Sequence, residues 1–170
     1  MAALRAPLAI LAVSAAACAG AAGAQAAVAS PARAALRGFS CKRGPVARRR
    51  SVSVQAVMRP VPGTEAMTIR FDLLERPPAS PTINVQSGDL GVWVRPSAPS
   101  LGSRRGDVWR LSEPVSGLDA PAAYRFRVSF RWIGAHGRAL GFANRYSRGC
   151  WQPRAPVARG RSPRRARWLH

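Results

Sequence analysis

The chain has 170 residues and a formal net charge of +20, from 27 Lys and Arg against 7 Asp and Glu. That length holds one domain, and less once its ends are set aside. Two histidines and three cysteines leave little material for a zinc site or for histidine-dependent catalysis. The charge is unevenly spread. Residues 27–50 carry seven basic side chains and no acid, residues 151–170 carry six and no acid, and residues 51–150 carry thirteen arginines against seven acids, a net +6. Only Lys42 is lysine, a bias expected of a GC-rich coding sequence, so codon usage accounts for part of the arginine excess.

Arg5, the Ala/Leu/Ile/Val run behind it and the small-x-small site Ala24-Gln25-Ala26 read as a secretory signal over residues 1–26. Two alternatives stand beside it. A retained membrane-spanning helix would need a more apolar run than this alanine- and glycine-rich one. A lipoprotein acylated on Cys18 would need a large aliphatic residue where Ala15-Ala16-Ala17 stands. Removing the signal leaves Cys41 and Cys150, and an even pair in an exported chain reads as a disulfide. Such a bridge closes a loop of about 110 residues, which chain entropy values at about 4–5 kcal/mol.

Residues 27–50 show no period and end in Arg48-Arg49-Arg50, so they read as an extended basic linker. The first strand is then expected from Ser51, with Val52, Val54, Ala56 and Met58 inward, and Pro60-Val61-Pro62-Gly63 turns the chain. Residues 66–76 form the second, with Met67, Ile69, Phe71 and Leu73 inward and Thr68, Arg70 and Asp72 outward. After the prolines of residues 77–81, short strands are expected at residues 82–86 and at 90–95, where Leu90, Val92 and Val94 oppose Trp93. Residues 96–105 read as a loop. Residues 107–115 restart the sheet, with Trp109 the better core candidate.

Residues 118–132 carry the clearest signal. Tyr124, Phe126, Val128, Phe130 and Trp132 alternate with Arg125, Arg127, Ser129 and Arg131, the two-residue period of a strand with an aromatic inner face and a wet outer one. A turn at residues 134–137 leads to a closing strand over residues 138–147, and residues 151–170 read as a disordered Arg/Pro-rich tail, or as a truncated or frame-shifted end. About seven short strands in about 100 residues predict an all-β fold, a single antiparallel β-sandwich over residues 51–150.

The spacing Leu118-x-x-Pro121-x-x-Tyr124-x-Phe126-x-Val128 resembles the entry to the penultimate strand of immunoglobulin-like and fibronectin type III domains. The resemblance implies an Ig-like sandwich in which Tyr124 bonds back across the corner formed with Leu118 and Pro121. No cysteine pair joins middle strands around a tryptophan, unlike antibody domains. Cysteines outside the first and last strands are similar to modules of exported proteins in GC-rich bacteria, some carrying CARDB-type adhesion repeats.

No catalytic set is visible. His136 lies between glycines in a turn, and nothing places it with Ser129 or Asp119. Asp89, Asp107 and Asp119 sit at loops but lack the local spacing of a calcium site, so no metal or cofactor is expected. Arg105-Gly106-Asp107 spells an integrin-type tripeptide that is also ordinary loop chemistry. Arg125, Arg127 and Arg131 are the best surface candidate, a stripe suited to phosphates or carboxylates, with pairing to Asp72 or Glu75 as the alternative.

These residues point to an exported, non-catalytic module that binds or spaces at the cell envelope or surface. Its partner would be a protein or an anionic wall polymer, with no specific nucleic acid, and with membrane contact only through the signal or weak electrostatics. The alternative is a basic effector that meets anionic membrane or nucleic acid through its arginine-rich ends. The exported protein is expected to begin near Ala27 and to take up alkylating reagent only after reduction. Intact-mass measurement checks both, and a chain retaining Met1 with free thiols would overturn the export reading.

Overall fold

The computed structural model describes residues 32–154. The signal and lipidation readings, and the tail beyond Arg154, lie outside the described residues. The fold is all-β and antiparallel. Its strands are β1 (Ala34–Lys42), β2 (Ser51–Met58), β3 (Ala66–Arg76), β4 (Ile83–Asn84), β5 (Trp93–Val94), β6 (Trp109–Ser116), β7 (Ala122–Ile133), β8 (Ala139–Tyr146) and β9 (Cys150–Gln152).

A smaller sheet runs β1-β2-β6, and a larger one centres on β3 paired with β7. The two short strands β4 and β5 share the free edge of β3, and β8 and β9 share that of β7. The inner faces of both sheets feed one core, an arrangement compatible with a β-sandwich. From β2 come Val52, Val54, Ala56 and Met58. From β3 come Met67, Ile69, Phe71 and Leu73, and from β7 Tyr124, Phe126, Val128, Phe130 and Trp132. Phe71 and Phe126 meet edge to face at 6.2 Å, the preferred geometry for an aromatic pair. Trp109 is buried as expected.

The linker expected over residues 27–50 is corrected by β1, which pairs with β2 from Ala34↔Met58 to Lys42↔Ser51. Its alternation is hidden by a bulge between Arg37 and Ser40, where Gly38 takes φ 55°. The extra residue shifts the inward set, so that Leu36, Phe39 and Cys41 all pack on the core although Leu36 and Phe39 are three apart. The cysteines are therefore inside the first and last strands, not outside them. Cys41 on β1 and Cys150 on β9 form a disulfide with a Cα–Cα distance of 5.6 Å, joining the two sheets. Trp151 and Gln152 belong to β9, not to the tail. Residues 90–95 yield only the two-residue β5, and nine strands replace the expected seven or so.

The corner before β7 is closed from several sides. Tyr124, almost fully buried, donates its hydroxyl to the Asp119 carbonyl at 3.1 Å. Leu118 is core, and the Ala120–Pro121 peptide is cis. The guanidinium of buried Arg50 donates to the carbonyls of Gly44, Pro45 and Leu118 at 2.8, 3.1 and 3.3 Å. Three backbone acceptors replace the water this cation loses, with no carboxylate involved. At the opposite end, Trp132 Nε1 donates to the Arg59 carbonyl at 2.7 Å and ties β7 to the end of β2.

Burial first, and the negative charge of Glu75 second, hold the Tyr124 phenol above its ordinary value of 10.0. The folded state keeps this proton longer than the unfolded chain does. Its contribution to stability is therefore whole below pH 10 and drains away as pH rises beyond it. Tyr124→Phe is expected to cost about 1–2 kcal/mol at neutral pH and to flatten the decline above about pH 10. Denaturant melts of both proteins across that range are the check. Coincident curves would remove the hydroxyl from the corner.

Candidate functional site

The outer faces of the two sheets differ in chemistry. That of the smaller sheet presents Ser51, Ser53, Gln55 and Ser112 together with Arg37, Lys42 and Arg110 and no aromatic ring, with Ser40 and Ser53 sharing a 2.8 Å hydrogen bond and Gln55 bonded to Ser112 at 3.3 Å. The registers of the larger sheet place arginines and aromatic rings side by side. Thr68–Arg131–Phe142 form one row across β3, β7 and β8, and Asp72–Arg127–Tyr146 another. Arg70 lies opposite both Trp93 and Ser129, and Arg76–Ala123–Trp151 close the far end. On this face Arg70, Arg76, Arg125, Arg127 and Arg131 stand against one carboxylate, Asp72.

At one end the cations are stacked. Trp93 leans in from β5 until its ring meets Phe142 edge-on at 6.2 Å. The Arg131 guanidinium lies 4.2 Å from the Trp93 centroid and that of Arg70 at 5.1 Å. Further along β7, Arg125 lies 4.7 Å from the Tyr146 ring and donates Nε to the Ser147 carbonyl. Such stacking holds a planar cation in place while leaving its edge free to donate.

Asp72 is shared. Arg127 Nε donates to its Oδ2 at 3.1 Å, and Arg70 Nε lies 3.4 Å from the same oxygen without an aligned hydrogen bond. The buried Arg70 Nε and Thr68 Oγ1 have no hydrogen-bond partner. Among the described residues no carboxylate lies within salt-bridge range of Arg131. The two readings of the stripe thus divide by residue: Arg127 is paired with Asp72, whereas Arg125 and Arg131 meet rings and a carbonyl. Arg70 and Arg76, which sequence reasoning left out of the stripe, join it through the β3–β7 register.

The rings are exposed. Phe142 keeps 57%, Tyr146 49% and Trp151 46% of their surface in solvent, an unusual concentration for one sheet face. Beside Trp151 opens a cleft of about 700 Å³ bounded by Arg76, the turn at residues 77–80 and Ala123. Ala79 on its rim takes φ 53°, a left-handed conformation that costs a residue bearing a Cβ.

The other candidates do not converge. Exposed His136 sits in a short 3-10 turn at φ 57°, and the Ser129 hydroxyl donates to Asn144 Oδ1 at 2.8 Å. The Asp107 carboxylate accepts from the backbone N–H groups of Gly102 and Arg104, which hold it below the usual range. It is committed to folding its own loop instead of standing free in an integrin-type tripeptide. Burial and the nearby charge of Asp89 raise the Glu113 carboxyl, but no group of three potential ligands gathers among the described residues. No family model, curated protein or solved structure matches the chain.

Removing the shared carboxylate is expected to be costly in stability. Asp72→Asn leaves Arg70 and Arg127 partly buried without a counter-ion and should destabilise the fold by about 1–3 kcal/mol. Chemical denaturation measures it, and a variant as stable as the parent would mean that Asp72 does not neutralise this face.

Proposed function

We propose that the chain is an exported, non-catalytic Ig-like β-sandwich that binds an anionic polymer at the cell envelope or surface, across the outer face of its larger sheet. The observation that carries this reading is the side-chain population of that face, five arginines and four aromatic rings against the single carboxylate of Asp72. Arginine forks suit carboxylate and phosphate groups, and rings beneath them keep the forks oriented toward solvent. The Cys41–Cys150 disulfide supports an oxidising, extracytoplasmic compartment. The Tyr124 corner supports the Ig-like likeness. The bacterial origin rests on the compositional bias alone.

The second reading, a basic effector acting through its arginine-rich ends, is favoured by the total charge of +20. The two are separated by paired variants. Truncation must fall after Arg154, because β9 contributes Cys150 and the buried Gln152 to the fold. The truncated chain and an Arg125→Gln/Arg127→Gln/Arg131→Gln variant are titrated with polyglutamate over a range of salt. The face reading expects the triple variant to lose most of the affinity and to flatten the log–log salt slope by roughly one per arginine removed. It expects truncation to change little. The reverse pattern would make the effector the better account.

A further inference from the structure

Resting on that reading of the face, we infer that the cleft beside Trp151 is a sugar subsite and that the polymer is an acidic, uronate-bearing polysaccharide. The other rings of the face are already engaged: Trp93 with Arg70 and Arg131, Phe142 with Trp93, and Tyr146 with Arg125. Among the described residues Trp151 makes no ring–ring or ring–guanidinium contact, yet it keeps 46% of its surface exposed. Its backbone is pinned by pairing with Ala123 and by Arg43 Nε, which donates to its carbonyl at 3.1 Å. The indole thus projects from an anchored backbone, without a stacking partner among the described residues, and not from a loose end.

The cleft it bounds, about 700 Å³, falls within the range that small ligands occupy. Pro77, Pro78 and Ala79 supply an apolar wall, Ser80 a hydroxyl and Arg76 a charge. A pyranose ring has flat C–H faces for the indole, hydroxyls for Ser80 and, when it is a uronate, a carboxylate for the Arg76 fork. From there Arg125 and Arg127 follow along β7 on the same face, two residues apart, about 7 Å at strand rise. A linear polymer can meet them with successive carboxylates.

Other occupants fit less well. An extended peptide gains affinity by adding a strand to a sheet edge, whereas this cleft opens on the side-chain face. The chain's own residues 155–170 hold five arginines and no acid, so the cationic face repels them. Single-stranded nucleic acid shares the demand for cations and rings, but the disulfide argues for a compartment where it is scarce.

The test is calorimetric titration of the disulfide-bonded full chain with oligogalacturonate, polyphosphate and single-stranded DNA at moderate salt. The variants are Trp151→Ala, Trp151→Phe and Arg76→Gln, each confirmed folded by its thermal melt. Trp151→Ala and Arg76→Gln are expected to weaken oligogalacturonate binding roughly tenfold or more. Trp151→Phe should restore most of the affinity, and polyphosphate binding should change less than about twofold in Trp151→Ala. Polyphosphate binding without oligogalacturonate binding would overturn the sugar subsite and leave the anionic face standing. No binding of either would overturn both. Oligogalacturonate affinity unaffected by Trp151→Ala would remove the cleft, and DNA binding tighter than oligogalacturonate with the same Trp151 dependence would replace the glycan with nucleic acid.

Discussion

The two-residue period of β7 is the constraint on which the rest of the molecule depends. Tyr124, Phe126, Val128, Phe130 and Trp132 can enter the core only if Arg125, Arg127, Ser129 and Arg131 leave it. A slip of one residue against β3 would exchange the two sets, burying arginines and exposing the aromatic payload. Register is fixed at both ends. Tyr124 is held by the Asp119 carbonyl and by pairing with Cys150, and Trp132 is held by the Arg59 carbonyl. The cationic face is thus the reverse side of the core. Whatever enforces burial on one side also sets arginine spacing on the other.

Much of this was legible where side-chain chemistry and strand period agree. β2, β3 and β7 alternate with little interruption, and Cys41 and Cys150 are the only two cysteines among the described residues. Opposing Trp93 to Val94 put each on its correct side, Val94 beside inward Ile69 and Trp93 beside Arg70, but Val92, grouped with Leu90 and Val94, is exposed instead. The rest was hidden for identifiable reasons. In β1 the bulge at Gly38 breaks the alternation, so that a strand reads as linker. Trp151 follows Cys150 at the start of an Arg/Pro-rich run with no hydrophobic period, and its place is set by pairing with a strand about 28 residues earlier. Arg70 and Arg76 were visibly outward on β3, but only the β3–β7 register shows which arginines they neighbour.

Two of the seven acidic side chains are committed within the fold. Asp72 is divided between Arg70 and Arg127, and Asp107 ties its own loop, whereas Glu113 is raised by burial and by the like charge of Asp89. Asp119 takes part in the corner through its carbonyl. The structural cation Arg50 takes three carbonyls and draws on no carboxylate at all. Charge neutralisation inside the fold is therefore handled largely by the backbone, and the arginine excess reaches the surface uncompensated. The outer face of the smaller sheet is cationic too, with Arg37, Lys42 and Arg110 among its serines, so what sets the larger sheet's face apart is the aromatic rings beside its arginines.

The disulfide has a mechanical meaning as well. Cys41 lies near the end of the first strand and Cys150 opens the last, so the loop between them contains β2 to β8 entire. Tension that enters the chain before Cys41 and leaves after Cys150 crosses the disulfide and bypasses β2 to β8, loading the core only through the ends of β1 and β9. Pulling could peel Ala34 to Ser40 from β2 and Trp151 and Gln152 from β7, but the chain between the cysteines would lie off the covalent path of that force. A body tethered at both ends in this way would hold its shape under drag or shear until the bond was reduced. Reduction would then convert a rigid link into an extensible one, lengthened by the whole of the enclosed loop.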